Sequence, residues 1–212
     1  MRVSPAKENI LRKIRQALTE PTPLPFPQSE GNNSVFQAPK QEKEIEFAEQ
    51  FTRLQGKFVY CANAGEMLQQ LSQLAAKNEW AQLFCRETAL QSQLRDQLKG
   101  LLTDEGLPFA DASITSCELL IARTGSILLS SGQESGRTAS VYAPVHICIA
   151  YMHQLVYDIR EGLELLQEKY KSKLPSLISL ATGPSRTADI EKTLVVGVHG
   201  PKDVYVFLID AE

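Results

Sequence analysis

The sequence predicts an α/β fold built on a mainly parallel sheet, on three observations. Short apolar runs rich in β-branched and aromatic residues alternate with segments of helical period. The run at 145–150, Val-His-Ile-Cys-Ile-Ala, lacks polar alternation, as a strand buried on both faces does. Turn signals such as Gly183-Pro184 punctuate these runs, and no internal repeat is present.

The elements follow in chain order. Ser4-Pro5 starts a helix whose apolar stripe is Ile10, Leu11, Ile14, Ala17 and Leu18. Its other face carries Lys7, Arg12, Lys13 and Arg15, which serve either as a solvated face or as a docking surface for an acidic partner. The alternating prolines of 21–27 exclude helix and predict an extended segment, and 28–40 continues as a linker. Residues 1–40 thus read as an arm that wraps a partner or a second copy, making a homo-oligomer through it. Residues 41–212 form the α/β domain.

That domain opens with a charged helix over 41–54. A strand at Lys57–Cys61 precedes a helix at Ala64–Lys77, with Met67, Leu68, Leu71, Leu74 and Ala75 turned inward. A second strand at 80–85 precedes a helix over 89–98. Two apolar strands, 118–122 and Ser126–Ser130, flank the turn Arg123-Thr124-Gly125. After the strand at 145–150 comes a long helix over 153–170, then strands at 177–180 and 204–209.

Bulk composition narrows the function. The chain has 212 residues, 43% hydrophobic and 22% charged, with a net charge of −3, so no global basic field holds nucleic acid. No apolar run is long enough for a membrane span and no signal-peptide core is present, which predicts a soluble cytoplasmic protein. The cysteines Cys61, Cys85, Cys117 and Cys148 are far apart and form no Cys-x-x-Cys pair; they read as buried small hydrophobes. The histidines His146, His153 and His199 show no metal-ligand spacing, so no metal is expected. Walker, Gly-x-Gly-x-x-Gly and Gly-x-Ser-x-Gly patterns are all absent, and no cofactor is assigned.

Three polar constellations remain. The densest is Gly183-Pro184-Ser185-Arg186-Thr187-Ala188-Asp189-Ile190-Glu191, followed by Gly197-Val198-His199-Gly200-Pro201. Here Ser185 is placed to cap a short helix. The string fits either an anion pocket, with helix-start N–H groups and the Arg186 fork, or a well-capped helix with an Arg186–Asp189 pair. The second is Thr124-Gly125-Ser126, a ligand-facing turn or a plain hairpin turn. The third is the Gly- and Ser-rich loop from Ser131 to Arg137. Glu118, Glu134, Asp189 and Glu191 are candidate acids or nucleophiles that sequence cannot pair, so no catalytic residue is assigned.

Together with Arg137 and Pro144-Val145-His146-Ile147, these strings resemble the lactate utilization protein C family, the LUD-domain proteins, over roughly residues 41–210. The resemblance implies a three-layer sheet flanked by helices, of the NagB/RpiA/CoA-transferase-like type. It implies an accessory or binding subunit in the oxidation of L-lactate to pyruvate, with iron–sulfur proteins as partners. It marks Thr124, Gly125, Ser126, Arg137, His146, Gly183, Ser185, Arg186, Thr187, Asp189, Glu191, His199 and Gly200 as residues binding a small anionic ligand. The family often carries an acid where this chain has Arg123, and an arginine there favours an anion. The competing reading is a stand-alone small-anion or CoA-ester enzyme or sensor on the same fold.

Overall fold

The computed structural model describes residues 5–19, 38–190 and 193–210. The chain divides into two compact units, residues 1–38 and 39–212. In the first, α1 spans Pro5–Thr19, as the apolar period predicts. The proline-rich segment 21–27, most of the 28–40 linker and Glu191 lie outside the described residues.

The second unit begins with α2 (Lys43–Arg53), β1 (Lys57–Cys61) and α3 (Ala64–Lys77). Asn63 caps α3 by accepting from the Glu66 N–H at 3.0 Å, while Glu66 accepts from the Ala62 N–H at 2.8 Å. Then come β2 (Leu83–Phe84), α4 (Thr88–Leu94), β3 (Leu102–Thr103), β4 (Ala112–Thr115), β5 (Leu119–Ile121) and β6 (Ser126–Ser130). A one-turn helix α5 (Ala139–Tyr142) leads into β7 (Val145–Tyr151) and β8 (Leu155–Val156). The chain continues through α6 (Ile159–Tyr170), β9 (Ile178–Ala181), β10 (Arg186–Ile190), β11 (Thr193–Val196) and β12 (Asp203–Ile209).

Six strands form one sheet in the order β1-β12-β7-β4-β2-β3, every neighbouring pair parallel. One face packs on α3 and α4, where Met67, Leu71, Ala75, Leu90 and Leu94 meet Cys61, Leu83, Ile114, Ile147 and Phe207. The opposite face packs on α2 and a second sheet of order β8-β5-β6-β9. Phe47 and Phe51 of α2, stacked at 5.4 Å, join Leu120, Ile127, Cys148 and Val206 in that layer. The four-stranded sheet is backed by α6, whose Leu166 packs with Ile121, Leu128 and Val156. The predicted α/β class with a central parallel sheet flanked by helices is therefore present, and a small mixed sheet adds to it.

Several elements differ from the sequence reading. The helix expected over 153–170 starts only at Ile159, where the Asp158 carboxylate accepts from the Arg160 N–H at 2.9 Å. Leu155 and Val156 before it pair with Leu120 and Ile121 instead, a tertiary contact that periodicity does not reveal. Strands β3 and β4 were not expected. The short helix expected after Ser185 is a strand: β10 and β11 form an antiparallel hairpin with Thr187 opposite Val195 and Ile190 opposite Thr193. β-Branched residues at these positions favour the pleat over the helix.

The turn between β5 and β6 fixes α2. Gly125 sits at φ +60°, and a Cβ there would fall 2.5 Å from the Phe51 nitrogen. Gly125→Ala is expected to combine left-handed backbone strain with a clash against helix backbone and to destabilise the fold by about 2–5 kcal/mol. Urea unfolding of the variant against the parent chain measures it.

Candidate functional site

The motif residues gather at the amino-terminal edge of the parallel sheet, where β1, β7 and β12 begin. Leu54 is the C-cap of α2, three residues before β1. Its carbonyl accepts a hydrogen bond from the Arg186 guanidinium. Gly183, at φ +78°, approaches the same carbonyl so closely that a Cβ would lie 2.6 Å from it. A cation at a helix C-terminus is favourable both to the free carbonyl and to the helix dipole. Arg186 is thus directed at its own chain, in a place where its exposed side chain also reaches solvent.

The two glycine turns are tied together by backbone. The Ser185 N–H donates to the Pro201 carbonyl at 3.0 Å, and the Gly197 N–H donates to the Ser185 carbonyl at 2.9 Å. Gly200 lies against the Ser185 side chain. A chain of hydroxyls links the other turn to this one: Thr124 Oγ1 to Ser126 Oγ at 2.8 Å, and Ser126 Oγ to Thr182 Oγ1 at 2.8 Å. Gly183, Ser185, Arg186, Thr124, Gly125 and Ser126 therefore form one junction. Thr187 extends it along β10. Asp189 lies further along the same strand.

Arg123 is held elsewhere. Its Nε meets Asp158 Oδ2 at 2.5 Å, joining the β5–β6 turn to the start of α6. The Arg160 N–H and then the Arg123 guanidinium hold the Asp158 carboxyl below its ordinary range. The anion that Arg123 binds is this one. Arg137 bonds Ser176 Oγ at 2.5 Å, and no hydrogen bond among the described residues joins it to the junction.

Two of the candidate acids are also engaged. Glu118 is buried and accepts from Ser130 Oγ at 2.5 Å, Tyr170 OH at 2.6 Å and Lys169 Nζ at 2.7 Å. Burial pushes its carboxyl up, but the bonds from Lys169, Ser130 and Tyr170 outweigh that and hold it low. Glu134 accepts from the Thr88 N–H at the start of α4 at 2.7 Å. The loop Ser131–Arg137 is tied down further by Gln133, which donates to Ser116 Oγ at 3.1 Å and accepts from the Ser130 N–H at 3.0 Å.

His146 is fully buried in β7. Its Nε2 lies 2.9 Å from Thr115 Oγ1, while Nδ1 has no partner. Burial pushes its pKa down to about 4, so the ring is neutral and packs as part of the scaffold. The four cysteines are buried as well, and burial raises the Cys61 and Cys85 thiols to about 11 and about 12. The Cys117 thiol and burial raise the Cys148 thiol as well. Among the described residues no group of three His, Cys, Asp or Glu is placed to hold a metal ion. Among them, too, no helix is long and apolar enough to cross a membrane.

His199 and Gly200 line an open groove of about 450 Å³ between α5 and the 197–202 loop. Tyr142 and Lys202 also line it, and sequence reasoning did not single them out. Their signal was adjacency: Tyr142 stands two residues before Pro144, and Lys202 directly follows Gly200-Pro201. A second groove of about 280 Å³, between Gln91 and Asp104, contains none of the motif residues.

A family model for the LUD domain matches residues 45–209. The chain belongs to the LUD-domain family. All of the junction and both walls of the groove fall inside the LUD match, while α1 lies before it. The LUD-domain chain is 28% identical to lactate utilization protein C of Anoxybacillus flavithermus, over 94% of each protein. It is 29% identical to an uncharacterized protein of Neisseria meningitidis, over 96% of this chain and 93% of that one. It is 35% identical to lactate utilization protein C of Bacillus subtilis over 48% of this chain and 43% of that one. A crystal structure of a DUF162 family protein from Deinococcus radiodurans has the same fold: TM-score 0.60 at 21% identity, over 82% of this chain and 99% of that one.

Two outcomes test the scaffold roles. Arg186→Met is expected to lower stability by about 1 kcal/mol, read as a reduced urea midpoint. The folded His146 ring refuses a proton that the unfolded ring accepts below about pH 6.5. Stability from this residue is therefore full above that pH and falls between pH 6.5 and 4, by about 3 kcal/mol at the lower end. Unfolding curves across that window should slope less for His146→Gln than for the parent chain.

Proposed function

We propose that this LUD-domain chain is an accessory, binding subunit in the oxidation of L-lactate to pyruvate, acting with iron–sulfur partner proteins. The similarity to lactate utilization protein C of A. flavithermus along almost the whole of both chains supports this reading. Lactate oxidation releases two electrons, which need a flavin, nicotinamide or metal acceptor. The sequence offers no Cys-x-x-Cys pair and no dinucleotide fingerprint, so the redox step is assigned to the partners. In this reading the junction of Thr124, Gly125, Ser126, Gly183, Ser185 and Arg186 shapes the sheet edge, and His199 and Gly200 face the ligand.

A stand-alone small-anion or CoA-ester enzyme or sensor is the second reading. The groove beside His199 favours it, because no carboxylate lines it.

The test is genetic and biochemical together. A strain lacking this chain should fail to grow on L-lactate and recover when the chain is returned. The purified chain alone should give no lactate-dependent dye reduction, and adding co-expressed iron–sulfur partners should restore it. Lactate-dependent dye reduction by the purified chain alone overturns the accessory role.

A further inference from the structure

The sheet edge built by the motifs leaves one surface that packing does not consume. We propose that the groove between α5 and the 197–202 loop binds an organic anion with an apolar body, its acid group at Lys202 and His199. The body lies on Val141, Tyr142 and Val198. This site rests on the ligand-facing role given above to His199 and Gly200 and names what binds there; the redox step assigned to the partner proteins does not depend on it.

Charge comes first. The chain as a whole carries −3, yet the ionisable side chains lining this groove are Tyr142, His199 and Lys202, with no acid among them. Asp203, next along the chain, is occupied by Lys57 Nζ at 2.8 Å. The side chains of His199 and Lys202 make no hydrogen bond or ion pair with another described residue. Nor do the backbone N–H groups of Val198, His199 and Gly200 donate to one. Successive free N–H groups in a turn beside a cation form an anion-binding concavity.

Position and size complete the case. The Lys202 N–H is anchored to the Pro144 carbonyl at 2.8 Å, and its stem lies across Gly197, where a Cβ would fall 2.2 Å from Lys202 Cγ. The first carbons of the Lys202 stem therefore rest against the loop, with the exposed ammonium beyond them at the groove. Val141, Tyr142 and Val198 leave 42%, 62% and 43% of their surface to solvent beside it. Covering such side chains is favourable in proportion to the apolar area removed from water. A volume of about 450 Å³ falls in the range of metabolite pockets and exceeds what a three-carbon acid fills.

Calorimetric titration of the purified full chain with hexanoate, acetate and hexylammonium tests this. Hexanoate should bind, acetate should bind at least about tenfold more weakly, and hexylammonium should not bind. Lys202→Met and Val198→Ser, both surface changes checked by unchanged circular dichroism, should each weaken hexanoate by about tenfold. Equal binding of hexanoate and hexylammonium, hexanoate binding unaffected by both substitutions, or no binding of hexanoate overturns the site. A chain that binds none of the probes yet restores growth on lactate loses this site and keeps its accessory role.

Discussion

An α-helix ends in carbonyl groups that have no partner within the helix, and two distant turns close on the end of α2, one of them meeting the Leu54 carbonyl. Arg186 donates to the Leu54 carbonyl, Gly183 packs against it, and Gly125 slides beneath the backbone of Gln50 and Phe51. No side chain larger than a hydrogen fits at either glycine. With its end held, α2 is pinned between the two sheets, and Phe47 and Phe51 take up their places in the layer between them. The polar residues of the family strings are thus largely spent on joining a helix, a hairpin and a small sheet.

That use of polar residues explains what was legible in the sequence and what was not. Helix α3 was readable to the residue, because Met67, Leu71 and Ala75 repeat at helical spacing; the Asn63 cap is what the structure adds. Strands β1 and β6 were equally plain. β10 was not, since Gly-Pro-Ser followed by acids is also how a helix begins. Only the pairing of Thr187 with Val195, supplied by residues beyond the turn, decides for a strand. β3 is two residues long and carries no pattern of its own. The site was legible as a set of residues, but its arrangement was not. Arg123, Arg137 and Arg186 look equivalent as cations in a string, and each has a different partner: Asp158, Ser176 and the Leu54 carbonyl.

Location carries a further lesson. In open parallel sheets ligands commonly sit outside the carboxyl ends of the strands. Here the carboxyl end of β4 meets a hydrogen-bonded group built from Glu87, Ser116 and Gln133, with Ser116 donating to Glu87 at 2.5 Å. Most of the residues read as ligand-binding instead collect at the opposite edge, beside a groove lined by His199. The residues read from the sequence as ligand-binding and the general rule for such sheets therefore lie at different ends of the same strands.

The strand order has a consequence for how the chain folds. β12 lies between β1 and β7, so those two strands share a neighbour only once residues 203–209 are in place. The side chains of Lys57 and Tyr205, which meet across β1 and β12, stand 148 positions apart. Without residues 203–209, the facing edges of β1 and β7 have no strand to pair with. Contacts so remote in sequence must close a large loop before they return any stability, which slows folding and lengthens the period open to aggregation.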